Sequence, residues 1–308
     1  MKEQRPNKHV TNPYHNKKSQ TRYRWLIGLF IIMITMTTVI NYLHAELKLF
    51  ETAYEQIQVD SSQKTANKLS KKEPITILIV ATQYFELGQL ENEGTGSLFT
   101  VTINPKGNHN VIVQLDPDIE ISDGRSTETI KLKSLYQDRG IQETKVCIET
   151  ILQRPIDYSI VIKLDKLRPF VEELKGLDLP MIETLSLEDK VYQKNQHYHL
   201  SGRLIEKYII QQSDELVITH SLRIVSLLGS LFQRVYQWDE IFNWKYYLES
   251  AISFLKTDIS CHDFKTLVLK QYLNVTIPME VITITQDTMK QQNYIQDINQ
   301  KINQLVMP

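Results

Sequence analysis

ITILIVA, residues 75–81, is an uncharged run rich in β-branched side chains that begins directly after Pro74. Apolar at nearly every position, it suits a strand covered on both faces rather than one with a wet side. Two similar runs follow, SLFTVTI (97–103) and NVIVQL (110–115), bounded by Gly, Pro or Asn. A helical pattern comes next in IQETKVCIETILQ, with apolar Ile141, Val146, Ile148, Ile151 and Leu152. DYSIVIKL (157–164) reads as another strand, and LDKLRPFVEELKG as a helix closed by Gly176. Strands alternating with helices imply an α/β/α layered domain around a central sheet. Beyond it, the last hundred residues read as mostly helical, over 200–212, 219–236, 242–256 and 262–273.

Upstream of Pro74 the character changes. Residues 1–24 carry Lys2, Arg5, Lys8, Lys17, Lys18, Arg22 and Arg24 against the single acid Glu3. WLIGLFIIMITMTTVINYL (25–43) then contains no charge, and 19 residues of helix span about 28 Å, close to the hydrocarbon thickness of a bilayer. Trp25 and Tyr42 stand at its ends, where amphipathic rings favour the lipid–water boundary. The run is too long for a signal-peptide core and no small-x-small cleavage site follows, so an uncleaved anchor is expected. The basic flank places residues 1–24 in the cytoplasm and the rest outside the cell membrane. Residues 44–73, polar and rich in Lys, Gln and Ser, read as a stalk, with the folded region (74–308) starting at Pro74.

Charge narrows the partners. Removing the seven bases and one acid of the tail from totals of 35 and 36 leaves 28 and 35, about −7 for the outer part. Such a domain is a poor match for nucleic acid, whose binding rests on phosphate neutralisation. Two cysteines, Cys147 and Cys261, permit one disulfide but read better as small buried hydrophobes. His197 and His199 share a strand face without a third metal ligand nearby and read as a solvated pair. Asn274-Val275-Thr276 matches a glycosylation acceptor, a triplet that also arises by chance. Glycine-rich phosphate loops, Gly-x-Ser-x-Gly, Cys-x-x-Cys and His-Glu-x-x-His motifs are absent from the sequence.

Several stretches together resemble the LytR-CpsA-Psr (LCP) family of bitopic envelope proteins. ITILIVATQ is similar to its opening Leu-Leu-Gly-Val-Asp strand, and GTGSLFTVTINPKGNHNVIVQLDPDIEI to the segment around Arg-Ser-Asp-Thr and Ser-Ile-Pro-Arg-Asp-Thr. TIKLKSLYQDRG resembles Lys-Ile-Asn-x-Ala-Tyr, LSGRLIEKYI resembles Leu-x-Gly-x-x-Ala-Leu-x-Tyr-Val, and FLKTDISCHDFKTLVLKQY resembles the closing Lys-Thr-Asn-Leu-Ser segment. The likeness covers roughly 75–275. It implies transfer of a glycopolymer phosphate from a polyprenyl-pyrophosphate carrier to peptidoglycan. The lipid would lie in an apolar groove, aspartates would hold Mg²⁺, and an arginine cluster would grip the pyrophosphate.

Carried over position by position, the pattern breaks. The strand-closing aspartate falls on Thr82, the metal-binding aspartate on Ser97 and the Pro-Arg-Asp arginine on Pro117, with Asp118 kept. An Arg-x-Arg pair falls on Ile210 and Gln212. The later Gly-Asp-x-x-Arg-x-x-Arg-Gln reads Ser213, Asp214, Val217, His220 and Ser221, with Arg223 three residues further. Losing one preorganised donor typically costs about 10²–10³ in rate, so ordinary LCP catalysis is not expected.

The retained residues have two readings each. Asp118 and Asp214 are the candidate catalytic or metal-binding acids; Asp118 also suits a turn and Asp214 a helix N-cap. Lys131 and Lys133, on one face if that piece is extended, are candidate phosphate contacts or solvated lysines. Arg203, Tyr208 and Arg223 complete the candidate ligand set, Arg223 reading equally as a snorkelling rim residue. The preferred function is a non-catalytic binding, accessory or regulatory member needing no cofactor, which engages lipid-linked glycopolymer or other envelope proteins. One alternative is an active, Mg²⁺-dependent transferase with ligands moved to Asp116, Asp118, Asp123, Asp214, Arg139 and Arg203. Another is an unrelated bitopic sensor or scaffold.

Overall fold

The computed structural model describes residues 36, 41, 45–59, 66–84, 93–107, 109–122, 129–211, 217–235, 244–269, 272, 279–291 and 293–306. Two compact units divide the chain, Met1–Thr52 and Ala53–Pro308. In the first, residues 45–52 are helical. The uncharged run 25–43 lies, apart from Met36 and Asn41, outside the described residues, among which no helix is long and apolar enough to cross a membrane.

The second unit is built on a six-stranded sheet. Its strands are β1 (Ile75–Tyr84), β2 (Glu93–Ile103), β3 (Asn110–Leu115), β6 (Tyr158–Lys163), β11 (Leu255–Thr257) and β12 (Met279–Ile284), in the order β11-β6-β1-β2-β3-β12. Alternation along β1 sends Leu78 and Val80 to one face and Ile75, Ile77, Ile79 and Ala81 to the other. Leu78 and Val80 pack with α2 (Leu132–Leu152) and α9 (Tyr294–Val306). Ala81, Phe99 and Ile112 meet α3 (Leu167–Glu173), α4 (Gly202–Ile210), α5 (Val217–Val235) and α6 (Trp244–Ala251). Ile75 and Ile77 meet Leu69 of α1 (Ala66–Lys71) and Leu267 of α7 (Cys261–Leu269). Both faces are covered, as the near-continuous apolar run requires.

Short elements complete the unit: the hairpins β4–β5 (Glu120–Ser122, Thr129–Lys131) and β8–β9 (Leu185–Leu187, Lys190–Tyr192), the pair β7–β10 (Leu177–Pro180, His197–Leu200) and α8 (Gln286–Met289). Three expectations change. The helix expected over 242–256 ends at Ala251, and Leu255–Thr257 instead joins the sheet through Leu255↔Ile162. β12 pairs in parallel with β3 in a region expected to be mostly helical. The helix expected from Ile141 begins at Leu132 and is broken at Gly140, whose φ of 75° and ψ of 178° are non-helical.

The stretch expected as a stalk carries core residues. Tyr54, Ile57 and Leu69 are only 3 %, 2 % and 1 % exposed. Val59 N–H donates to Thr257 O (2.8 Å) and Thr257 N–H to Ile57 O (2.9 Å), so residues 57–59 cover the outer edge of β11. Tyr54 Oη reaches Ile259 O, and its ring lies 5.3 Å from that of Phe264. Packing therefore starts before Pro74: a few well-spaced apolar anchors suffice where mean polarity suggests none.

Beneath the sheet, at the N-terminal ends of β1 and β6, charged side chains are buried together. Lys145 of α2 and Asp258 are 8 % and 2 % exposed, with Nζ 3.2 Å from Oδ2. Lys145 also donates to Asp157 O, and Asp258 Oδ1 accepts Ser159 N–H at 2.6 Å. Asp157 accepts from Lys68 Nζ (2.6 Å) and Thr76 N–H (2.8 Å). One network thus ties α1, α2, β1, β6 and the end of β11.

Gly176 terminates α3 as expected, with its N–H on Val171 O (2.9 Å) and a φ of +99°. A Cβ at this position would lie 2.4 Å from His199 Nε2. Gly176→Ala is therefore expected to cost more than about 1 kcal/mol in a urea or thermal melt, from left-handed strain and displacement of the ring. His199 is exposed, as expected of a solvated histidine, yet both its ring nitrogens have protein partners: Nδ1 meets Asp178 Oδ1 at 2.8 Å and Nε2 meets Lys175 O at 2.9 Å. The Asp178 carboxylate, helped by that carbonyl, holds its pKa above the usual histidine value.

Candidate functional site

Strands β1, β3, β6 and β12 run the same way and β2 runs opposite, so their C-terminal ends and the start of β2 share one edge. Ligands of open α/β sheets bind outside such an edge. Thr82 and Ser97 lie here: Ala81 pairs with Ser97, a bulge follows at Ala81/Thr82, and Thr82 pairs with Lys163 of β6. Thr82 is 2 % exposed and Ser97 0 %. The two positions at which the LCP resemblance expects carboxylates thus hold neutral hydroxyls shut inside the protein.

After β3 the chain turns through Asp116, Pro117 and Asp118. Asp116 does the turn-shaping expected of Asp118: its Oδ1 accepts Asp118 N–H at 2.9 Å. Lys133 N–H donates to Pro117 O and Leu132 N–H to Ile119 O, both at 2.8 Å, which stitches this turn to the start of α2. Lys131 ends β5, opposite Glu120, and Lys133 stands in the first turn of α2, so the two are not neighbours on one extended piece. They converge nonetheless. Asp118 Oδ1 lies 3.2 Å from Lys131 Nζ and 2.8 Å from Lys133 Nζ, all three side chains being about half exposed. Hydrogen bonding from Lys133, then from Lys131, holds the Asp118 carboxyl below the usual range.

One helical turn beyond, Leu135 opens an apolar groove of about 500 Å³ along α2. Ile121, Val146, Cys147 and Ile151 line it, with Arg139 and Glu143 on its rim. Arg139 faces Glu143 at 3.9 Å. Cys147 and Cys261 are free thiols, and burial pushes the Cys147 thiol up.

Arg223 belongs to neither of the expected readings, rim residue or phosphate clamp. It is 1 % exposed, and its Nε donates to Glu183 Oε1 at 2.5 Å. Its Nη1 donates to Tyr208 O (3.0 Å) and Gln211 O (2.5 Å), the carbonyls left open at the C-terminus of α4, and the guanidinium lies 5.6 Å from the Tyr208 ring centroid. Tyr208 is 0 % exposed, and burial raises its phenol above the usual value, so it presents nothing to a ligand. Arg203 pairs with Glu188, as does Lys207 (2.5 Å), on the exposed side of α4 beside a shallow hollow that Ile210 also lines. Gln212, Ser213, Asp214, Asp123 and Asn274 to Thr276 lie outside the described residues, as do the side chains of Val217, His220 and Ser221. The structure thus unites Asp118, Lys131 and Lys133, joins Arg223 to Tyr208, and leaves Arg203 in a separate pairing. Sequence reasoning missed Glu183; an acid 40 residues before Arg223 gives no local signal.

Does this edge fit Mg²⁺, which the resemblance implies? Hard dications take several oxygen ligands with carboxylate charge. Thr82 and Ser97 supply none, and the Asp118 oxygen already faces two ammonium groups. Among the described residues, no group of three His, Cys, Asp or Glu side chains is placed to hold a metal ion. The described residues at this edge do not fit the ion.

A model of the LytR_cpsA_psr family matches residues 39–307. Among curated relatives, a Bacillus mycoides protein named polyisoprenyl-teichoic acid–peptidoglycan teichoic acid transferase TagU is 25 % identical over 185 residues, covering 58 % of this chain and 57 % of its own. A protein of the same name from Enterococcus faecalis is 21 % identical, covering 72 % and 73 %. The chain spans under two thirds of the length of the B. mycoides relative. Among solved structures, a Streptococcus agalactiae protein superposes with a TM-score of 0.62 at 16 % identity, covering 80 % of this chain and 91 % of that one. Bacillus subtilis TagU gives 0.59 at 15 %, covering 77 % and 98 %. TagT bound to LIIa-WTA gives 0.57 at 14 %, covering 76 % and 91 %. These likenesses show the fold.

Proposed function

Because the chain belongs to the LytR_cpsA_psr family, matched along residues 39–307, we propose that it engages a polyprenyl-pyrophosphate-linked glycopolymer at the cell envelope without transferring it. The named activity of the TagU relatives supports the substrate class, and the neutral, buried pair Thr82 and Ser97 carries the case against transfer. Phosphoryl transfer needs its charge neutralised as it moves. Two hydroxyls inside the sheet cannot hold the dication that would do so.

In this reading residues 25–43 anchor the chain in the membrane, with 1–24 cytoplasmic and the α/β unit outside. The pyrophosphate meets Lys131 and Lys133 at the sheet edge, and the lipid follows the groove along α2, whose lining begins one turn from Lys131. Ammonium groups act here as point charges, giving affinity without the bidentate grip of arginine. The protein would hold or hand on its ligand beside other envelope proteins. Immobilised full-length chain in detergent is expected to retain a labelled polyisoprenyl-diphosphate saccharide and to release it on adding inorganic pyrophosphate. Failure to retain it would overturn the reading.

A further inference from the structure

We infer that the Asp118 carboxylate is a built-in competitor that occupies the Lys131–Lys133 pair until a pyrophosphate group displaces it. This rests on the reading of that edge as the phosphate site. A single oxygen, Asp118 Oδ1, accepts from both ammonium groups, at 3.2 Å and 2.8 Å. It is presented there by its surroundings rather than by a wandering side chain. Asp118 N–H is bound to Asp116 Oδ1, and the Pro117 and Ile119 carbonyls take the N–H groups of Lys133 and Leu132. Asp116 and Glu120 add negative charge beside the cluster, Glu120 directly across from Lys131. A pyrophosphate group carries more charge and more oxygens than one carboxylate, so it offers each lysine its own acceptor. The exchange strands neither lysine, and Asp118, already half exposed, swings into water without desolvation.

The consequence inverts what an aspartate serving the ligand would show. A carboxylate that holds a metal or orients the phosphate loses binding when neutralised; a competitor yields tighter binding. Titrating the full chain with inorganic pyrophosphate by calorimetry, in EDTA at low salt, reads the difference. Asp118→Asn is expected to tighten binding about two- to fivefold, the range of an exposed ion-pair contribution. The double variant Lys131→Gln/Lys133→Gln is expected to weaken it at least about tenfold, and added salt to shrink both effects. A second arm uses vesicles carrying a polyisoprenyl diphosphate, where the same rank order is expected. If the wild type binds and the double lysine variant does not, but Asp118→Asn is unchanged or weaker, the competitor inference falls while the phosphate edge stands. If wild type and Asp118→Asn both fail to bind, or the double lysine variant binds as well as wild type, both fall. If only the free ion shows the order, the assignment to a lipid head group is overturned.

Discussion

Lys145→Met is expected to destabilise the α/β unit by about 3–5 kcal/mol, read as a fall in the urea midpoint at unchanged slope. Methionine keeps the aliphatic stem but leaves Asp258, 2 % exposed, without its cation, and removes the donor to Asp157 O. An uncompensated buried carboxylate is costly, and this one cannot turn to solvent because Oδ1 holds Ser159 N–H. Adding Asp258→Asn should recover part of the loss, since an amide oxygen still accepts Ser159 N–H while the charge is gone. A single variant as stable as wild type would mean that the network is not the clamp joining α2 to the start of β6.

Arg223→Met is expected to cost a similar amount, about 3–5 kcal/mol, in the same melts. It removes the guanidinium that pairs with Glu183 and the donor that serves the carbonyls of Tyr208 and Gln211 at the end of α4. That outcome separates a structural arginine from a ligand-gripping one. A clamp for pyrophosphate, held open for its ligand, would be lost with little change in stability and a large drop in binding. Here the stability falls first, because the charge is already engaged by Glu183 and two carbonyls inside the fold.

Much of the architecture was legible because the deciding strands are apolar at nearly every position. ITILIVA and NVIVQL can be buried on both sides only in a covered sheet, and they occupy its interior. The hairpins of 177–200 were not legible: strands such as Lys190–Tyr192 are three residues long and mix charge with aromatic side chains. β12 is different, since Met279–Ile284 is a β-branched run that carries a strand signal within a mostly helical stretch. Residues 44–73 misled through composition, because Tyr54, Ile57 and Leu69 do the packing amid a polar majority.

At the candidate site, residue types were readable and partnerships were not. Thr82, Ser97 and Pro117 could be seen to lack charge from the sequence alone. The meeting of Lys131 and Lys133 on Asp118 depends on the β4–β5 hairpin folding α2 back over the 116–119 turn. Arg223 looked like a surface residue because its apolar neighbours suggested a rim; its partners lie 40, 15 and 12 positions away.

The most direct measurement supplies the full chain, reconstituted in bilayers, with polyisoprenyl-diphosphate-linked glycopolymer, peptidoglycan and Mg²⁺, and assays polymer covalently joined to peptidoglycan, with a TagU protein as the working control. The expected result is polymer retained on the chain and none transferred above the protein-free level. Transfer that Asp118→Ala abolishes would contradict the account outright.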